Sequence, residues 1–331
     1  MTTQAWIEKI FNAGTADQAE LALELFHYQY SQNSLYRDYT DALKVKPAQV
    51  TQPEQIPFLP IRFFKTQPVI TTQFEPALVF ESSGTTGMIN SRHLVKDAAI
   101  YEASFNKAFA QFYGNPGEWC IIGLLPAYLE RQHSSLVYMV DRLIQQSVHP
   151  ASGFYLYEYD RLAALLKELE AAGQKVWLIG VTFALLDFAE QYPQPLKHTV
   201  MLETGGMKGR REELIRPAVH EKLQQAFGLS SVHAEYGMTE LLSQAYSTGK
   251  GLFNCPPWMQ VAVREEEDPL TVRFRGNKAV SGAINVIDLA NLYSCAFIAT
   301  DDAGRIYPDG SFEVLGRLDN SDLRGCSLLV V

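Results

Sequence analysis

The chain has 331 residues, 47% of them apolar, enough to bury a sizeable core in one large or two ordinary domains. A net charge of −9 argues against a general binder of nucleic acid or anionic membrane, although an acidic surface still permits a local anion site. Four scattered cysteines signal neither a zinc site nor a disulfide scaffold, and no apolar run approaches the roughly 20 residues that span a bilayer.

The N-terminus lacks a basic segment followed by an apolar one, so it does not read as a signal peptide; a soluble cytoplasmic protein is the expectation. The first third reads as helical. Leu21, Leu25 and Tyr28 recur at helical spacing, with Thr15 placed to cap that helix. Six prolines between Pro47 and Pro76 then predict an ordered but irregular connection.

Beyond residue 95, helices alternate with short apolar strands. Helices are predicted over 97–114, 134–146, 159–173 (ended by Gly173) and 183–191. Another covers 211–228, kinked or broken at Pro217. Strands are predicted over 119–125, 175–181, 198–205 and 231–237. This alternation implies a largely parallel α/β sheet with helices on both faces. After residue 255 short strand-like runs alternate with turns, and Pro308-Asp309-Gly310 signals a hairpin, so an antiparallel β region follows.

Three motifs could carry chemistry. The run Ser82-Ser83-Gly84-Thr85-Thr86-Gly87 follows an apolar segment and offers hydroxyls and a pliable backbone to a phosphate, although no GKS or GKT closes it as in a P-loop. Alone, it reads as readily as a solvated turn. Glu235-Tyr236-Gly237-Met238-Thr239-Glu240 ends a strand, where open α/β sheets bind ligands. There a tyrosine can stack on a purine, a threonine reach a phosphate and a glutamate hold Mg²⁺. A strand-to-loop corner with a packed aromatic is the equal alternative. Thr300-Asp301-Asp302-Ala303-Gly304-Arg305, then Gly316-Arg317-Leu318-Asp319, suits a ribose held by an aspartate and an arginine, or else two polar hairpin ends.

Taken together and in this order, the three motifs resemble the large domain of the adenylate-forming superfamily, from about residue 78 to 325. The stretches LPAYLERQHSSLVYMV, LETGGMKGRREEL and GRLDNSDLRGCSLL are further similar to the acyl-protein synthetase component of bacterial fatty-acid reductase. The resemblance implies one adenylate-forming large domain over 1–317, with a helical and irregular part (1–76), an α/β part (77–250) and a β-rich part (251–317). A hinge-like tail would follow over 318–331. It implies ATP and Mg²⁺, with Ser82, Ser83, Gly84, Thr85, Thr86 and Gly87 on the ATP phosphates. Gly205, Gly206 and Met207 would line the adenine pocket, with Tyr236 against the ring. Thr239 would contact the α-phosphate, Glu240 would hold Mg²⁺, and Asp302 and Arg317 would hold the ribose. His133 would stand beside the acyl pocket, and Cys326 would accept the acyl group.

The implied activity is ATP-dependent conversion of a carboxylic acid, a fatty acid in that family, to acyl-AMP and then to a protein thioester. A reductase-like protein would be the downstream partner. Two departures stand out. The superfamily's Pro-Lys after the phosphate loop is replaced by Met88-Ile89-Asn90-Ser91-Arg92-His93, leaving Arg92 as the candidate positive charge. The superfamily's C-terminal, lysine-bearing domain is expected to be absent. A CoA ligase using free CoA, and a non-catalytic subunit that binds nucleotide or acyl chain, are the alternatives. Cys120 and Cys295, set in apolar runs, read as core residues.

Overall fold

The computed structural model describes residues 2–82, 89–125, 133–205, 214–265, 268 and 270–318. They fall into two compact units, one drawn from the described residues of 2–108, 237–245 and 254–318, the other from those of 109–236 and 246–253.

In the first unit the helices Thr3–Asn12, Gln18–Gln32 and Ser34–Ala42 form the helical part that the periodicity predicts. The second begins at Gln18, not at a Thr15 cap. Its N-cap position is Asp17, which makes no side-chain cap bond and instead accepts the Gly14 N–H. Leu21, Leu25 and Phe26 are buried on its inner face. There Phe26, Tyr36 and Phe58 pack around Phe297, with Tyr36 stacked on it at 5.9 Å. Each buried aromatic of this kind contributes roughly 2–3 kcal/mol of transfer free energy. Gln29 ties the same helix to its neighbours, donating to the carbonyls of Asn291 and Leu292 and accepting the Ala296 N–H.

The proline-bearing stretch is irregular as expected: two 3₁₀ turns, a two-residue strand and the short helix Phe63–Thr66. Leu78–Glu81 pairs with Arg92–Val95, an antiparallel hairpin. The predicted antiparallel region is present, with strands in the order Val272–Arg273, Met259–Arg264, Val280–Asp288, Phe297–Ile306, Phe312–Arg317. The Pro308-Asp309-Gly310 turn joins the last two; Asp309 Oδ1 accepts both the N–H and the hydroxyl of Ser311.

The second unit carries the parallel sheet, in the order Gly153–Phe154, Cys120–Leu124, Val176–Val181, Thr199–Thr204, His233–Tyr236. Cys120–Leu124 and Val176–Val181 are buried at every position, which a sheet covered on both faces requires. Ser135–Gln146, Tyr159–Ala171, Thr182–Gln191 and Arg216–Phe227 are the intervening helices. Gly173, at φ +67°, ends the second of these in the left-handed conformation the sequence predicts. Of the two expectations at Pro217, a kink or a break, the described residues agree with the break: residues 214 and 215 are not helical, and Pro217 lies in the first turn of Arg216–Phe227, where its missing N–H costs no helical bond.

Candidate active site

Ser82 closes the hairpin that flanks the hydroxyl-rich loop. Its N–H donates to the Ser91 carbonyl at 3.0 Å, and its hydroxyl accepts the Ser91 N–H at 2.8 Å. Ser83, Gly84, Thr85, Thr86 and Gly87 lie outside the described residues. Arg92 is exposed and paired with Glu81 at 3.4 Å.

The next side chain along that strand, His93, is buried and joins the hairpin to the second motif. Its Nδ1 stands 2.8 Å from the Thr239 carbonyl; a carbonyl only accepts, so Nδ1 carries the proton. Burial pushes the His93 pKa down to about 4, against the pull of that bond, so the ring is neutral at pH 7. Glu240 is held through its own carbonyl by Asn291 Nδ2 at 2.8 Å. Just beyond it, the backbone N–H groups of Leu242 and Ser243 and the Ser243 hydroxyl all converge on the buried carboxylate of Asp288 at 2.6–3.0 Å. Thr239 and Glu240 are thus fixed by three side chains from other segments of this unit.

Glu240 is itself buried, and burial raises its pKa; the Ser91 hydroxyl, its own backbone, Arg317 and Lys65 oppose the rise. Arg317 Nε also lies 3.4 Å from Asp302 Oδ1, with Asp302 buried and the guanidinium half in solvent. The strand register brings this pair together. Gly304 faces Val314, but a one-residue shift between Ala303 and Gly304 sets Asp302 opposite Arg317. One cation therefore acts on two buried carboxylates that belong to different motifs.

In the second unit, Gly205 follows the strand Thr199–Thr204, and Tyr236 ends the parallel strand beside it. Tyr236 is buried with its ring edge-on to Phe253 at 6.0 Å. Two glutamates beside these residues, Glu203 and Glu235, are given no role by the sequence. Glu203 receives the Thr182 hydroxyl and lies 3.7 Å from Arg216 Nε and 3.8 Å from His220 Nε2. Burial alone would raise its pKa, but His220, Arg216 and Thr182 together hold it below the usual carboxylate range. Glu235 accepts the Thr204 hydroxyl at 2.5 Å, and burial, aided by the charge of Glu203, pushes it up to about 7.

No family model and no curated protein matches this chain. Solved structures do. 2-Hydroxyisobutyryl-CoA ligase, in an open conformation with 2-HIB-AMP and CoA, superposes with a TM-score of 0.62 at 12% identity, over 91% of this chain and 74% of that one. The same ligase in its postadenylation state with R3-HIB-AMP gives 0.62 at 11% identity, over 97% and 69%. O-succinylbenzoate coenzyme A synthetase from Bacillus subtilis, with ATP and magnesium ion, gives 0.50 at 15%, over 76% and 53%. The chain has the α/β fold of these ligases.

His133 is exposed, just ahead of the helix Ser135–Gln146. A groove of about 310 Å³ lined by Leu186, Ala189, Glu190, Lys222, Gln225 and Ala226 contains none of the residues that the motifs single out. Cys120 and Cys295 are buried, as expected. Burial pushes Cys120 up to about 11 and Cys255 and Cys295 up to about 12, so all three are thiols at pH 7. Gly206, Met207 and Cys326 lie outside the described residues. No helix among the described residues is long and apolar enough to cross a membrane.

Proposed function

We infer that this chain uses ATP to activate a carboxylic acid as its acyl-AMP. The observation that carries the reading is the shared cation: Arg317 acts on both Glu240 and Asp302, the two acidic residues that the resemblance assigns to Mg²⁺ and to ribose. The likeness in fold to ligases solved with an acyl-AMP supports it. An oxygen of the acid attacks the α-phosphorus of ATP, the bond from that phosphorus to the bridging oxygen breaks, and pyrophosphate leaves. Asp302, buried and paired, would accept the ribose hydroxyls; binding remote from the reacting atoms serves to position the α-phosphate.

Mg²⁺ fits the donor set. Glu240 is one buried carboxylate with its charge disfavoured by burial, and among the described residues no group of three or more His, Cys, Asp or Glu forms a cage. That suits a cation shared between a single carboxylate and substrate phosphates. When bound, it would neutralise charge on the departing pyrophosphate. Thr239, its carbonyl fixed by His93, would present its hydroxyl to the α-phosphate.

The finer reading is an acyl-protein synthetase. A thiolate, that of Cys326, attacks the acyl carbonyl carbon, the bond to the phosphate oxygen breaks, and AMP leaves a protein thioester. A fatty acid would be the substrate and a reductase-like protein the next acceptor. A CoA ligase is the second reading, favoured by the similar structure that holds CoA.

Acid-dependent pyrophosphate release tests the first step across a panel of alkyl and aryl acids; none with any acid would sink the reading. Asp302→Ala should weaken AMP binding by about 1–3 kcal/mol in calorimetry, the scale of a charge-assisted hydrogen bond. Labelled acid that stays protein-bound, is released by hydroxylamine and is absent from Cys326→Ser identifies the thioester. Transfer that needs CoA and survives that substitution identifies the ligase.

A further inference from the structure

The carboxyl-terminal edge of a parallel sheet is where such folds bind ligands, yet in this chain two adjacent strands place glutamates there, Glu203 buried and Glu235 half-buried. Their register separates them. Glu203 is opposite Ala234, and side chains alternate between faces, so Thr204 and Glu235 share one face while Glu203 points to the other. On its face Glu203 meets Arg216 and His220 from the helix Arg216–Phe227 and the hydroxyl of Thr182, the first residue of the helix Thr182–Gln191. On the opposite face Glu235 meets Thr204, with His233 two residues back on its own strand and Tyr113 within its field.

Burying a carboxylate costs several kcal/mol unless it is paired, so one buried and one half-buried at neighbouring strand ends call for a reason. Each sits one bond from a residue the resemblance assigns to adenine. The Thr182 hydroxyl that binds Glu203 also lies 3.4 Å from the Gly205 carbonyl. Glu235 directly precedes Tyr236, and its partner Thr204 directly precedes Gly205.

We propose that Glu203 and Glu235 are positioning residues for the nucleotide: gripping the strand ends from opposite faces, they set the Gly205 backbone and the Tyr236 ring against the adenine. The proposal rests on the acyl-AMP reading given above. The two glutamates do this in different charge states. Glu203 is an anion, answered by Arg216, His220 and Thr182. Glu235 holds its proton to about pH 7, because burial disfavours its charged form and the charge of Glu203 adds to that, against the Thr204 hydroxyl. The other titratable groups around them among the described residues reinforce that assignment. Burial depresses His233 to about 4 and raises Tyr113, leaving both neutral at pH 7, so neither offsets a charge on Glu235.

The sign follows. Below about pH 7 Glu235 is a neutral acid and the strand ends are closed. Above it, Glu235 carries a charge that burial disfavours, on the face opposite Glu203, and nucleotide affinity falls. The experiment measures ATP affinity and the KM for ATP of the full chain between pH 6 and 8.5, in the wild type, Glu235→Gln, Glu203→Gln and Thr182→Val. Glu235→Gln mimics the protonated acid; its affinity should match wild type at pH 6 and stay flat where wild type declines at least threefold. Glu203→Gln and Thr182→Val should each raise the KM for ATP about tenfold or more with kcat within about threefold; tenfold is 1.4 kcal/mol. A KM for ATP unmoved in both of these variants, or a Glu235→Gln profile that declines like wild type, overturns the proposal. If Glu203→Gln does not fold, Thr182→Val, which keeps the carboxylate, decides. Wild-type protein that binds no adenine nucleotide overturns the acyl-AMP reading itself, a different result from wild type that binds and variants that match it.

Discussion

The two units hold their buried carboxylates by different means. Asp288, in the first, is answered mostly by main chain: the N–H groups of Leu242, Ser243 and Ala290, with one hydroxyl added. Glu203, in the second, is answered entirely by side chains, from Thr182, Arg216 and His220. A carboxylate bound by main chain shapes a loop, and the residues of that loop can vary. A carboxylate bound by side chains depends on the identity of each partner, and its charge state can shift with any of them.

Removing the main-chain anchor should have the largest effect. Asp288→Ala leaves two or more buried N–H groups without an acceptor and should cost about 3–4 kcal/mol in chemical denaturation. Asp288→Asn, whose side-chain oxygen still accepts, should recover more than half of that. If both variants cost the same, charge and not acceptance holds the turn, and the contrast with Glu203 breaks down.

His93 sharpens the contrast from the side of pH. Its folded pKa is about 4 against 6.5 when unfolded, so the unfolded chain binds the proton more readily. The His93 contribution is complete above about pH 6.5 and is lost as pH falls towards 4, by up to about 3 kcal/mol. The stability of His93→Asn, followed over that window, should fall less steeply than that of the wild type. Parallel curves would mean that the ring titrates normally.

Glu240→Gln separates chemistry from anchoring. Acid-dependent pyrophosphate release should drop about 100-fold, the scale of one lost electrostatic contact in a transition state, while AMP affinity stays within about twofold. Equal loss of both would make Glu240 a part of the pocket wall. The smallest effect should come from Arg92→Ala. Its partner Glu81 is a surface residue and such pairs contribute less than about 1 kcal/mol, so stability should hardly move. A large loss of pyrophosphate release in that variant would restore Arg92 as the missing positive charge.

The fold class was legible because apolar runs such as KVWLIGV and amphipathic runs such as YDRLAALLKELEAA carry different periods, and both appear as the strand and helix they predict. The N-terminal boundary at Gln18 and the choice between kink and break at Pro217 were not, because caps and first turns are chosen by tertiary packing among several local options. In the site, Glu240, Asp302 and Arg317 stand in motifs that residue type and order mark out. Glu235 stands in one too, and Glu203 in a stretch that carries the resemblance, but neither is given a role there, and Asp288 stands in none. Each ends or nearly ends a strand, where sequence alone gives no sign of its partners. Glu203 and Arg216 become neighbours only through a parallel register and a helix that folds back. His93 was equally hidden, since nothing local links it to a carbonyl so far along the chain.

The register shift beside Asp302 has a further consequence. Continued without a break from the Gly304–Val314 pair, the ladder would set Arg317 against Asp301, whose side chain belongs to the opposite face of the sheet. The extra residue in the strand Phe312–Arg317 decides which of two consecutive aspartates the arginine meets. Deleting Leu315, the exposed residue that the ladder skips, would remove the shift and keep Arg317 opposite Asp302. The bulge at Leu315 thus sets the ion pair as firmly as the identity of the charged residues, and a strand that kept Leu315 but lost the bulge would silence a motif that still reads intact.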